Sequence, residues 1–234
     1  MPRLSVIVPT LNEATQLPAT LARLRGGGDV DLIVADGGSE DETVAIAQQQ
    51  GARLVTAPRG RAQQMNAGAA IATGEILLFL HADTLLPPDY PAWIDPVLAQ
   101  PGTVAGAFEL AIDLPDWRLR VLEQLVRWRS RWLQQPYGDQ GLFLRAQTFR
   151  ELGGFRPLPI MEDYEFLQRL RRRGRVAIAP CAAIASGRRW QQLGLLRTTA
   201  INQLVILGYH LGLPPEQLAR LYYRRPRPPH PRPK

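Results

Sequence analysis

Cysteine is nearly absent. The 234-residue chain carries one, Cys181, so no internal disulfide can form, and no Cys/His cluster shows zinc-ligand spacing. A reducing compartment is the natural setting. Long apolar runs are missing as well. The longest apolar region, Leu193 to Leu213, is interrupted by Arg197, Thr198, Thr199, Asn202, Gln203 and His210 and falls short of the ~20 apolar residues that cross a bilayer. It reads as a buried or interfacial helix. The N-terminus enters the apolar stretch Leu4 to Val8 without the basic region, long apolar segment and cleavage site of a secretory signal, so a cytoplasmic location is expected. Glycine-rich phosphate turns are absent after this first apolar run, where a dinucleotide fold needs Gly-x-Gly-x-x-Gly and a P-loop needs Gly-Lys-Ser/Thr. Pro9-Thr10-Leu11-Asn12-Glu13 stands there instead. No internal repeat is found.

The formal net charge of +7 is not spread over the chain. Arg220, Arg224, Arg225, Arg227, Arg232 and Lys234 hold six of the seven charges, which leaves the body nearly balanced. With no recognisable motif, a DNA or RNA partner is not expected. What the chain does have is 45% hydrophobic residues, enough to bury one substantial core.

The first third alternates strand-like apolar runs with helical patterns, the arrangement that forces parallel strands and crossover helices. Strands are expected at Leu4–Val8, Leu32–Ala35, Arg53–Thr56 and Glu75–Leu80. Helices are expected after Asn12, read as a cap, then through Val44–Ala47 and from about Gln63 to Ala72. Further on, Val104–Ile112 and Leu142–Arg145 read as strands. Trp117–Leu133, Glu162–Arg173 and Leu193–Leu213 read as helices, and from Pro214 the chain turns Pro- and Arg-rich, with a flexible tail expected over Pro226–Lys234. Ligands of open α/β sheets bind at the carboxyl ends of the strands. Pro9–Glu13, Asp36–Asp41 and His81–Asp83 all fall at such ends, so three polar loops should share one crevice.

Six blocks in order resemble the family 2 glycosyltransferases: Ser5-Val6-Ile7-Val8-Pro9-Thr10-Leu11-Asn12-Glu13, Asp36-Gly37-Gly38-Ser39-x-Asp41-x-Thr43, Arg59-Gly60-Arg61-Ala62-x-Gln64-Met65-Asn66-x-Gly68, Leu78-Phe79-Leu80-His81-Ala82-Asp83-Thr84, Gly138-Asp139-Gln140-Gly141 and Met161-Glu162-Asp163. They are similar, more narrowly, to a bacterial subgroup called selenodomain-associated transferases. The resemblance covers roughly residues 4 to 213. It implies an α/β GT-A fold, Rossmann-like, with a mixed sheet flanked by helices, a C-terminal helical segment and a flexible basic tail. The glycosyltransferase domain would span 1–213, its nucleotide-binding half about 1–100 and its acceptor half about 101–213, with the tail over 214–234. The implied reaction is transfer of a sugar from a nucleotide-diphosphate donor, a UDP-sugar first, to a hydroxyl acceptor that is lipid-linked, a glycan or a small molecule. Inverting single displacement and Mn²⁺ or Mg²⁺ are implied with it. The rival is a non-catalytic sugar-nucleotide or membrane-surface binding protein that keeps the fold.

Each block has a functional reading beside a plainer one. Pro9, Thr10, Asn12, Glu13, Gly37 and Ser39 would line the nucleotide, and Asp36 would accept from a uracil N–H; the alternative for Asp36 is a turn residue bonded to the Gly38 or Ser39 amides. Arg59 and Arg61 could reach a diphosphate or donor sugar, with Asn66 one turn on, or could be surface arginines on a loop. By resemblance Ala82 and Asp83 occupy a donor and metal position, Asp83 as an oxygen ligand that offsets leaving-group charge. His81 replaces the first acid of the usual Asp-x-Asp, either as a ligand or as a donor to a backbone carbonyl. Asp163, with Glu162 beside it, is the implied base that takes the acceptor proton, although acids there also complement a helix N-terminus. Asp139 and Gln140 could read sugar hydroxyls, or belong to a Gly-bounded turn. Arg188 and Arg189 could touch phosphate or acceptor; Ser186 stands where processive relatives have glutamine, so processive synthesis is not expected.

Between Trp117 and Leu133, Leu122, Leu125, Val126, Trp132 and Leu133 recur at helical spacing among Arg118, Arg120, Arg127, Arg129 and Arg131. A core-packing helix with a charged outer face is expected. The alternative is a helix in peripheral contact with the inner face of an anionic membrane.

Overall fold

Along β1 (Leu4–Thr10) every residue is buried, and alternate side chains serve opposite faces: Val6 and Val8 join one apolar cluster and Ile7 another. A strand buried on both sides must be central. The computed structural model, which describes residues 3–223, places it so. Three crossovers build the first half: α1 (Leu17–Arg25) leads to β2 (Val30–Asp36), α2 (Thr43–Gln49) to β3 (Arg53–Thr56), and α3 (Arg61–Ile71) to β4 (Ile76–Phe79). These four strands pair in parallel.

The chain continues through β5 (Thr84–Leu85), α4 (Tyr90–Leu98), β6 (Thr103–Ile112), α5 (Trp117–Trp132), a 3₁₀ turn at Gly138–Gln140, β7 (Leu142–Arg145), α6 (Ala146–Glu151), α7 (Glu162–Arg173) and β8 (Arg175–Ala185). Among the described residues the sheet has eight strands in the order β3-β2-β1-β4-β7-β6-β8-β5. It is mixed, because β7 runs antiparallel to both β4 and β6. One cluster packs α1 and α4 on one face; the other packs α3, α6 and α7 on the opposite face. Thr10, Asp36 and Thr56 sit in register at the strand ends, so the exit loops open on one side.

Several elements differ from the sequence reading. The cap of α1 is Gln16; Asn12 instead sits at φ 55° and its side chain accepts from the Glu40 amide at 2.8 Å. The strand β8, not among the strands read from the sequence, carries Pro180 at its middle, and proline cannot donate to the ladder. A register shift between Ala107 and Glu109 of β6 accommodates it. The helix expected over Leu193–Leu213 is α9 (Leu195–His210); a separate short helix not read from the sequence, α8 (Arg188–Leu193), precedes it and ends at Gly194. The segment read as tail from Pro214 begins with α10 (Pro215–Tyr222), which has proline in its first turn and a buried Leu218. Pro226–Lys234 lies outside the described residues. The chain divides into two compact units, Met1–Ser186 with the whole sheet and Gly187–Lys234 with α8, α9 and α10. Among the described residues no helix is long and apolar enough to cross a membrane.

Candidate active site

The crevice starts where β1 and β2 end, and the two exit loops are laced together. Asn12 N–H donates to Ser39 Oγ at 2.9 Å, Glu13 N–H to Thr43 Oγ1 at 2.8 Å and Ala14 N–H to Asp41 Oδ2 at 3.1 Å. Gln64, buried on α3, donates to the carbonyls of Thr10 and Ala35 and so holds the two strand ends at a fixed distance. Gly37 lies against that amide, where a Cβ would come within 3.0 Å of it. Asp36 is buried, and its carboxylate accepts from Gly38 N–H, Ser39 N–H, the Ser39 hydroxyl and the Thr10 hydroxyl. Those bonds fill all of its roughly four lone-pair sites, so the turn role is the one it performs here. Pro9 and Thr10 are buried with it.

At the start of α3 the two arginines part company. Arg59 is exposed, whereas Arg61 Nε reaches Glu162 Oε1 at 2.7 Å, on a carboxylate that is 2% exposed. Burial pushes the Glu162 pKa up, and the Arg61 charge pulls it back. Asn66 does not face a donor: its amide donates to Phe155 O at 2.8 Å and accepts from Phe155 N–H at 2.9 Å. Both halves of the side chain are consumed in clipping α3 to the segment before α7.

The central group comes from three distant stretches. His81-Ala82-Asp83 follows β4, and Thr20 of α1 pins it by donating to Ala82 O at 2.7 Å. Asp163 in the first turn of α7 accepts from Gly138 N–H at 2.8 Å and from Tyr164 N–H at 2.7 Å. A Cβ at Gly138 would stand 2.8 Å from Asp163 Oδ2 and 3.1 Å from His81 Nε2, which shows how closely the imidazole and the carboxylate approach. Burial and Arg61 lower the His81 pKa, opposed by Asp83 and Asp163, so the ring is neutral at pH 7. Asp139 completes the group. Burial pushes its carboxyl up to about 6; Arg129 opposes this, while Asp163 and Asp83 add to it. Its Oδ1 is buried with no hydrogen-bond partner.

Arg129 and Tyr137, which belong to this group, were not singled out as site residues from the sequence. Arg129 of α5 stacks over the Tyr137 ring at 3.5 Å and donates to Gln135 O at 3.0 Å; burial lowers its pKa against the pull of Tyr137 and Asp139. A lone arginine in an arginine-rich helix gives no signal of which one turns inward. The sugar-reading role expected for Gln140 finds no free amide: it is fully buried, donates to Phe108 O at 2.8 Å and accepts from Ser130 Oγ at 3.0 Å. Arg188 and Arg189 begin α8 in the second unit, where Arg189 stacks over Tyr222 at 3.5 Å and donates to its carbonyl.

Among the described residues no three His, Cys, Asp or Glu side chains stand close enough to hold a metal ion on their own. The crevice nevertheless fits a cation that takes further ligands from a bound molecule. Asp163 and Asp83 both act on the buried Asp139 carboxyl, the His81 imidazole stands beside Asp83 and Asp163, and the orphaned Asp139 oxygen lacks a donor.

The Glycosyl transferase family 2 profile matches residues 5–151, more than half of the chain. The chain belongs to that family. Among the curated relatives of this family 2 member, a PGL/p-HBAD biosynthesis glycosyltransferase of Mycobacterium tuberculosis is 44% identical over 94 residues, 36% of this chain and 37% of that protein. An uncharacterized glycosyltransferase of the same species is 32% identical over 130 residues, 54% of this chain and 59% of that one. The matched region covers less than two thirds of either relative. Solved structures share the GT-A architecture. The mannosyltransferase PcManGT from Pyrobaculum calidifontis, in complex with GDP-Man and Mn²⁺, superposes at TM-score 0.66 and 20% identity over 95% of this chain and 69% of that one. Glucosyl-3-phosphoglycerate synthase from Mycobacterium tuberculosis, with Mn²⁺, UDP and glucosyl-3-phosphoglycerate, gives 0.65 and 22% over 91% and 81%. At such identities the likeness is one of fold.

Proposed function

We propose that this family 2 member is a glycosyltransferase that moves a sugar from a nucleotide-diphosphate donor, a UDP-sugar first, to a hydroxyl acceptor by inverting single displacement. The observation that carries the reading is the meeting of His81, Asp83, Asp139 and Asp163, from three distant stretches of sequence, where the exit loops of the parallel strands open. The acceptor hydroxyl must lose its proton as it attacks the anomeric carbon opposite the departing diphosphate. Asp163 takes that proton. Its two backbone N–H bonds fix the plane of the carboxylate and leave lone pairs for the hydroxyl. Glu162 acts through Arg61, holding the guanidinium at the mouth of α3, from which it and Arg59 reach the diphosphate. Uridine recognition by Asp36 needs one lone pair to be given up, and the Ser39 and Thr10 hydroxyls are the rotors that can turn away.

Mn²⁺ or Mg²⁺ would be held by Asp83 with His81 beside it, and when bound supplies positive charge against the leaving diphosphate. The two solved structures of similar fold described above are complexes with Mn²⁺, one with GDP-Man and the other with UDP. The reading places the protein in the cytoplasm, with a lipid-linked, glycan or small-molecule acceptor.

The test is a donor screen with UDP- and GDP-sugars, with and without Mn²⁺. Asp163→Asn should lower turnover by about 10²- to 10⁴-fold with UDP affinity unchanged. Asp83→Ala should remove the metal dependence of UDP binding measured by calorimetry. A protein that binds UDP with metal and turns over none of the donors would be a binding module, and the reading would fall.

A further inference from the structure

The helix α5 is turned the wrong way round for a core-packing element. Leu119, Val126 and Ser130 are its buried residues. Its largest apolar side chains face solvent: Trp117, Trp128 and Trp132 are 75%, 70% and 76% exposed, and Val121 and Leu125 are exposed between them. At about 100° per residue the five positions fall within an arc of about 80°, directly opposite the buried face. Leu125 and Trp132 were expected to pack inward. The reversal has a physical cause. The polar partners lie on the sheet side: Glu123 accepts from the Ile112 amide, Arg127 and Arg131 both pair with Glu109 of β6, and Arg129 turns into the crevice. The rotation of the helix is fixed by backbone bonds and by ion pairs made from its edges, and the tryptophans are left outside.

Arginines border this apolar stripe on both sides. Arg118 lies on one flank and Arg120, Arg127 and Arg131 on the other, with side chains between 46% and 60% exposed. Arg118 pairs with Asp116, Arg120 with Glu123, and Arg127 and Arg131 share Glu109, so these four flanking arginines outnumber their three acid partners by one while keeping about half of each side chain in solvent. We infer that this face of α5 docks on an anionic lipid bilayer, with the tryptophans at headgroup depth and the arginine flanks against lipid phosphates. A contiguous exposed aromatic stripe marks an interaction surface. Tryptophan suits a boundary that is apolar on one side and wet on the other, and basic flanks gain from a negative membrane surface. A second copy of the chain is a poorer occupant. An isologous pairing of this face would set the arginine flanks of one copy against those of the other.

The docking needs no turnover, so its failure would leave the glycosyl-transfer proposal standing. Full-length protein is mixed with vesicles of phosphatidylcholine alone and of phosphatidylcholine with phosphatidylglycerol. Binding is read by co-sedimentation and by quenching of tryptophan emission with lipids brominated on the acyl chains. Pelleting and quenching are expected with the mixed vesicles and weaken as salt is raised. Trp128→Ser combined with Trp132→Ser should lower partitioning by about tenfold or more and remove the quenching, at an unchanged melting temperature. Leu125→Glu should act in the same direction. Three outcomes overturn the inference: the protein stays in the supernatant with the mixed vesicles; the double variant pellets like the wild type, which moves the contact elsewhere in the chain; or, without lipid, the protein forms a dimer that the double variant breaks.

Discussion

Asp163 accepts two backbone N–H bonds, whereas Asp139, in the same crevice, has a buried oxygen with no partner at all. The difference has a consequence for stability. Burial holds the Asp139 carboxyl at about 6, above its ordinary value of 3.8, so between those two values the native state binds more protons than the unfolded state. Stability from this residue therefore falls as pH rises through that window and is flat above it. Asp139→Asn removes the titration. In metal-free buffer the variant should lose less stability than the wild type between pH 4 and 6, read from melting temperatures across that range; parallel curves would show that the carboxyl is solvated after all. Individual residues were unevenly legible in the sequence. His81, Asp83 and Asp163 stood out because their block order was informative. Asn66 and Gln140 did not reveal their internal roles, since the carbonyls they bond belong to Phe155 and Phe108, distant in sequence.

The position of each element decides how rigid the crevice is, and α3 is the clearest instance. Gly68 lies flat on β1: a Cβ there would stand 2.4 Å from Ile7 Cγ2, against a strand that is fully buried. Neither side can yield, because Ile7 is β-branched and packed on both sides. Gly68→Ala should cost about 1–3 kcal/mol, seen as a lower denaturation midpoint with unchanged slope. Arg61 and Gln64 ride on the same helix, so turnover should fall further than stability alone accounts for. Periodicity located α1, α3, α5 and α7 within a few residues because an apolar repeat near 3.6 is a local property. It could not say which way α5 faces. Its stripe contains Leu122, Leu125, Val126 and Trp132, and the choice among them was made by Glu109 and the Ile112 amide, which belong to β6. The strand β8 was hidden by Pro180, which only a bulge makes tolerable.

For the molecule as a whole, composition drew a boundary near residue 213, where proline and arginine accumulate, while the contacts divide the chain after Ser186. The reason is that compactness follows the core and not the charge pattern. Both apolar clusters lie wholly within residues 4–183, all eight strands end by Ala185, and the last ladder closes with Ser186 N–H donating to Asp83 O at 3.1 Å. Every side chain that meets in the crevice, from Thr10 to Asp163, belongs to this unit. Among the described residues both clusters are complete by Ala183, and a unit of this size buries enough apolar surface to fold cooperatively. A chain ended after Ser186 should unfold in one calorimetric transition, with van't Hoff and calorimetric enthalpies in agreement and far-ultraviolet circular dichroism retaining the sheet. A broad, non-cooperative melt would mean that the core is completed by side chains beyond Ser186, and that the unit ending there does not fold alone.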